Sequence, residues 1–250
     1  MYEIDVKPSA LEPLSQDFVN SCPLQGGFRM RGLEMTRIEV FVDAAFAFAV
    51  TMTMISFDAI PSTFSELVIA IKGIPAFIVA VIQLIWIWYA HNLWSKRFGL
   101  EDAKTVVLST GLLIVMLIYI YPMRIMAGGM FSWFTGGYLP SGFDISTLEQ
   151  LSLMFVFLGI GFVAICLLLV FMYRYAGSLK TELLLSDAEF YETKTVEYMW
   201  LGAAAIGLLS IVLALLLPAD FVPFAGFAFA LLGFWFSLVR ARRRRTRPPA

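Results

Sequence analysis

Arg37-Ile38-Glu39-Val40-Phe41-Val42-Asp43-Ala44-Ala45-Phe46-Ala47-Phe48-Ala49-Val50-Thr51-Met52-Thr53-Met54-Ile55 is the stretch that decides the fold of this chain. It is apolar enough to cross a bilayer, yet it opens with a guanidinium and two carboxylates. Glu39 and Asp43 are four apart and share a helix face. At 1.5 Å per residue Asp43 lies about 8 Å past the start of the helix, where an ionised group needs a partner or water. Phe41, Phe48, Met52 and Ile55, spaced seven, four and three, form a separate stripe. Asp43 is turned about 140° away from Phe48 at 100° per residue. Ala44, Ala45, Ala47 and Ala49 fill the remainder and permit close helix packing. One helix thus pairs a bulky apolar face with a face that buries a carboxylate.

The rest of the 250 residues fits that reading. Hydrophobic residues make up 60% and charged ones only 15%, against about a quarter charged in soluble domains, and mean hydropathy is +0.80. A soluble enzyme, a disulfide scaffold and a disordered chain are excluded by this balance. The chain reads as an all-α membrane protein with six transmembrane helices, each about 20 apolar residues long. The spans are Ile38–Phe57, Leu67–Trp88, Val106–Met126, Leu151–Tyr173, Trp200–Leu217 and Phe221–Val239. Residues 1–30 are acidic and proline-broken, without the basic start and apolar core of a signal peptide, and read as a flexible cytoplasmic tail. The six-helix domain occupies residues 31–239, and residues 240–250 form a basic cytoplasmic tail.

Lys and Arg set the orientation. With both termini in the cytoplasm, sixteen of the eighteen basic residues fall on that side; only Lys72 and Arg124 do not. The outer segment Ala127–Thr147 is aromatic and glycine-rich and suits the headgroup level. The inner segment from Arg174 to Met199 is expected to hold a short amphipathic helix around Leu179–Tyr191. The run Arg240 to Arg247 reads as a topology determinant that touches anionic lipid, not as a nucleic-acid site. Cys22 and Cys166 are far apart and suggest neither a disulfide framework nor a metal site.

His91, the chain's one histidine, stands near the inner end of the second span in Trp86-Ile87-Trp88-Tyr89-Ala90-His91-Asn92-Leu93-Trp94. Antiparallel packing of the first two spans would bring it to the depth of Asp43, with Arg37 one turn lower. Two readings of this cluster stay open: a polar staple between helices, or a proton relay or ion site. A metal site is weaker, with no second histidine.

Arg37-Ile-Glu-Val-Phe41-Val42-Asp43, followed by the alanine- and phenylalanine-rich run to Thr51, resembles the Arg-x-x-x-Phe-Ser-Asp signature of the TMEM175 family (DUF1211) of lysosomal and prokaryotic potassium channels. Val42 stands in place of the signature serine. Trp88-Tyr-Ala-His91-Asn92-Leu-Trp94 is similar to that family's ending of the second span, and Pro122 in the third span also fits. The resemblance covers most of the chain from Arg37 on, as a single six-span repeat. It implies a homotetramer in the prokaryotic plasma membrane, with the first helix around a central pore. By that likeness Phe48 falls at the narrowest apolar ring, with Met52 and Ile55 as further rings, and Thr51 matches a threonine tied to selectivity. Arg37, Phe41, Asp43 and His91 would carry the interhelical network. The implied function is a potassium-selective, proton-leaky cation channel gated by apolar rings, with K+ and H+ as permeant ions and no cofactor.

Thr135-Gly136-Gly137-Tyr138 superficially resembles a potassium filter, but no glycine follows the tyrosine; Leu139-Pro140 does, as a flexible interfacial loop would have it. Two rival functions remain beside the channel: a non-conducting membrane scaffold of the same fold, and a proton-coupled small-solute transporter using Glu39, Asp43 and His91. The transporter would show two equivalent halves with broken helices, which the sequence lacks. No HExxH or GxSxG points to an enzyme.

Overall fold

The computed structural model describes residues 13–55 and 61–246. The basic tail beyond Thr246 and the last expected residues of the first span, Ser56 and Phe57, lie outside the described residues. Among the described residues the regular structure is helical apart from one short hairpin, and the helices form a bundle. The first long helix, α2 (Arg37–Ile55), follows a short helix α1 (Gln16–Ser21) and strands β1 (Leu24–Gln25) and β2 (Phe28–Arg29). Then come α3 (Phe64–Lys72), α4 (Ile74–Phe98), α5 (Ala103–Phe134), α6 (Leu148–Ser178), α7 (Asp187–Leu216), a 3-10 stretch Ala219–Ala230, and α8 (Leu231–Arg245).

Five of these segments are long and apolar enough to cross a membrane: 64–98, 103–134, 148–178, 187–216 and 221–245. Together they mark an integral membrane protein. The second expected span is α3 and α4 end to end, divided at Gly73, which closes α3 and opens α4 ahead of Pro75. α2, the first expected span, is not among the five; it carries Glu39 and Asp43 within its 19 described residues.

Four expectations change. Residues 13–30 are not a free tail: α1 and the β1–β2 hairpin (Leu24 opposite Arg29) fold against the helix ends. Phe28 is fully buried there, edge-on to Phe98 at 5.5 Å. The segment 127–147, expected as an interfacial loop, is helical to Phe134, because α5 continues past Met126; the buried Pro122 within it removes one N–H, and packed neighbours support the helix around it. Leu179–Tyr191 is not one helix. α6 stops at Ser178, a turn follows with Leu184 at φ 48, and α7 starts on a capping box between Ser186 and Glu189. The last span begins as a 3-10 helix, in which side chains three apart eclipse; Phe221, Phe224 and Phe227 stack in that way, at 6.1 and 5.7 Å.

α6 and α7 make the most extensive helix pair. They approach closely at two glycines: a Cβ on Gly159 would come within 2.4 Å of Ile211, and one on Gly207 within 2.8 Å of Val163. One continuous core joins Val42, Phe46 and Ala49 of α2 to Leu84, Ile87 and Trp94 of α4, Leu112 and Met116 of α5, and Phe162, Ile165 and Tyr173 of α6. α2 therefore leans on α4 and α5 along one side only.

Candidate functional site

The burial pattern of α2 divides it lengthwise. Glu39, Val42, Phe46, Ala49 and Thr53 are buried. Val40, Phe41, Ala44, Ala47, Phe48 and Thr51 are exposed, Phe41 at 59% and Phe48 at 58%. Arg37, Phe41, Ala44, Phe48 and Thr51 step four, three, four and three, the spacing of a seam that another helix or a pore would face. Met52 lies at the border of this face, half-buried, so Thr51 is turned more squarely outward than the expected stripe had it. For Ile55 the backbone alone is described.

The opposite side of α2 carries its polar ties. Glu39 is the third residue of a capping box: its Oε2 accepts the Thr36 amide at 2.6 Å, and its own amide donates to Thr36 Oγ1 at 3.2 Å. Two N–H groups at the helix start are satisfied in this way. Asp43 Oδ1 accepts the indole N–H of Trp88 at 2.7 Å. Near the far end of the described helix, the Arg124 guanidinium of α5 donates to the Thr53 carbonyl, answering one of the carbonyls that a helix end leaves open. Thr51 Oγ1 donates to the Ala47 carbonyl at 3.2 Å, which leaves its oxygen lone pairs on the exposed face.

The four residues expected to form one network are not joined into one. Asp43 is held by Trp88. His91, only 3% exposed, pairs instead with Ser109 Oγ of α5 at 3.0 Å through Nε2. Arg37 is exposed and, among the described residues, hydrogen-bonds neither Asp43 nor His91, and Phe41 belongs to the open face. Asp43 and His91 each hold a different helix pair together: α2 to α4, and α4 to α5. Trp88 and Ser109 went unread because indole N–H groups and serines are common in apolar helices and their rotation is not visible in sequence. The Thr36-x-x-Glu39 spacing was legible as a cap. A further tie, Gln83 Nε2 donating to Tyr119 OH at 3.0 Å, holds α4 to α5 deeper in the bundle.

Beneath α2, at the end of the bundle that gathers most of the basic residues, stands a buried ion pair. Arg31 is 1% exposed. Its Nη1 and Nη2 reach both oxygens of Glu189 at 3.0 and 2.9 Å. Its remaining bonds go to the carbonyls of Leu183 (2.8 Å), Arg29 (3.0 Å) and Leu184 (3.2 Å). Glu189 also accepts the amides of Arg29 and Ser186 at 2.8 and 2.9 Å. Gly32 and Gly99 let this segment lie directly on the end of α4, where a Cβ on Gly99 would meet the Arg31 backbone at 2.9 Å. Beside it, Asp102 caps α5 by accepting the Thr105 amide and hydroxyl at 3.0 and 2.6 Å, and also binds the Tyr175 hydroxyl. Burial alone would raise the Asp102 carboxyl, but these hydrogen bonds, with the nearby Lys104 charge, hold it below the ordinary carboxylate range.

No family model matches the chain. Its fold is that of a solved potassium channel: a threonine-to-alanine variant of MtTMEM175, crystallised with a Nanobody-MBP fusion protein, matches with a TM-score of 0.77 and 31% identity over 90% of this chain and 99% of that one. A potassium channel of Marivirga tractuosa is 34% identical over 200 residues, covering 78% of this chain and 81% of the relative. This chain belongs to the TMEM175 potassium channel family. The TMEM175 likeness in fold covers nine-tenths of this chain, and both relatives are channels, a class without catalytic chemistry.

Proposed function

We propose that this TMEM175 homologue is a potassium channel whose pore is lined by α2 from several copies of the chain, four in the arrangement that the sequence likeness implies. The observation that carries this reading is the open seam Phe41, Ala44, Phe48 and Thr51 on a helix whose polar ties all lie behind it. A soluble-facing seam of this kind would be costly; in a membrane it can face an axis or lipid, and the family's activity favours the axis. Phe48 would form the narrowest apolar ring, Met52 and Ile55 further rings, and Thr51 would present oxygen lone pairs to a passing cation. A narrow apolar ring excludes ions while dry and passes them when it dilates and wets. α2 would be the sixth crossing, with the basic end of the bundle and both termini in the cytoplasm of a prokaryote, as the distribution of Lys and Arg favours. Asp43, His91 and Arg37 would act in holding or approaching the pore, not in coordinating the ion, and any proton leak would pass through the same ring.

The test is flux from liposomes holding purified protein under a potassium gradient, with Phe48→Ala alongside. Potassium-selective flux that rises when the ring is trimmed is the expected result. Silence from both proteins, with the oligomer intact, would shift the reading to a non-conducting scaffold of the same fold.

A further inference from the structure

We propose that the end of α8 is a docking surface for anionic phospholipid headgroups, formed by Arg240, Arg242, Arg244 and Arg245 and held in place by Arg243. The Arg243 guanidinium lies over the rings of Tyr191 and Tyr198 of α7, at 4.2 and 4.9 Å from their centroids. Thr246 and Tyr191 share a hydroxyl hydrogen bond of 2.5 Å, and about three turns earlier the Trp235 indole donates to the Met199 carbonyl at 3.1 Å. Trp235 lies so flat on α7 that a Cβ on Gly202 would come within 2.0 Å of its ring. These contacts pin a terminal turn that would ordinarily fray.

Val239, buried, and Arg243 are four apart and occupy the side of α8 against α7. The other four arginines surround the remaining circumference and are exposed. Among the described residues no carboxylate forms an ion pair with any of them. Their depth follows from continuity: α8 is the end of the apolar run 221–245, and Arg240 follows the last buried valine directly. The run from Arg240 to Arg245 rises about 8 Å along the axis, the layer in which lipid phosphates stand. Four unneutralised guanidinium groups at that level meet a negatively charged leaflet, and each can bind a phosphate with two parallel N–H bonds. Because the Tyr191, Tyr198 and Trp235 contacts hold α8 to the bundle, the arginines stay at the membrane surface and do not extend into solution, which favours lipid over nucleic acid.

The experiment is native mass spectrometry of the full-length purified chain in detergent, titrated with phosphatidylglycerol or with phosphatidylcholine. Retention of phosphatidylglycerol should exceed that of phosphatidylcholine, and the preference should fall as salt rises. Arg240→Gln/Arg244→Gln, which leaves four tail arginines to direct insertion, should lower the preference roughly 25-fold, on the scale of about fivefold per basic residue near an anionic surface. Replacing the same pair by Lys should retain most of it. Equal retention of both lipids by the unaltered chain, or an unchanged preference in the Gln pair, would overturn the proposal. So would displacement of phosphatidylglycerol by an equal concentration of inorganic phosphate, which would mark a free-phosphate site, or by a single-stranded oligonucleotide, which would assign the surface to nucleic acid. The readout involves no ion flux, so it stands or falls separately from the channel reading.

Discussion

The indole N–H of Trp88 points at the carboxylate of Asp43 across 2.7 Å, and the charge that looked out of place in the first span is thereby the acceptor that joins α2 to α4. Trp88→Phe removes the donor and keeps most of the ring. It should cost about 1–3 kcal/mol by leaving a half-buried carboxylate without its partner. Asp43→Asn, whose amide oxygen can still accept, should cost less. Melting curves of the purified protein check both, and a Trp88→Phe protein that melts like the parent would remove this bond from the account of helix packing.

Arg31 and Glu189 make a stronger prediction, because both are almost wholly buried. Glu189→Gln leaves a buried guanidinium short of its countercharge, an error worth about 3–5 kcal/mol. Arg31→Lys should fare nearly as badly, since an ammonium cannot reproduce a planar fork with five N–H donors. Replacing both residues by Met should recover part of the loss. The ordering of the three melting temperatures is the measurement; a double variant less stable than either single one would contradict it.

Thr51 faces outward from α2 with its hydroxyl proton given to Ala47. If that oxygen helps to select the ion, Thr51→Val should preserve total flux and lower the preference for potassium over sodium roughly tenfold, or about 1.4 kcal/mol. Reversal potentials under bi-ionic conditions read this directly. An unchanged ratio would leave selectivity to other positions.

Asp102 supplies a pH dependence of known sign. Its folded pKa lies below the ordinary value, so its contribution is fully present above the unfolded carboxylate range, near about 3.9. That contribution disappears as pH falls through the lower folded value. The parent should therefore melt higher than Asp102→Asn at neutral pH, and the gap between them should close on acidification. A gap that widens toward acid would reverse the assignment.

Much of this was readable in the residues, and the remainder was hidden for physical reasons. Apolar runs give the long helices, because a bilayer demands length and hydropathy and little else. The two-faced character of α2 was legible from Asp43 and Phe48 alone. Asp43's partner was not: whether Trp88 or His91 reaches it depends on the rotation of α4, and two residues three apart on one helix answer that question differently. The ordered segment 13–30 was hidden because its composition is that of a tail. Its order comes from Arg31 meeting Glu189, 158 residues away along the chain, a distance that no local pattern encodes. Pro122, placed within the third span by the sequence, lies inside α5, where packed neighbours support the helix around it, as they do for proline in membrane helices.

α2 is fastened from behind at Asp43 and again at Thr53, and Phe48 stands midway between the two fastenings, with about 15 Å of helix separating them. Between the two fastenings Phe46 and Ala49 are sunk in the core, so the helix is backed along its length like a plank on a wall, and Phe48 is carried on the one side that no neighbouring helix of the same chain braces.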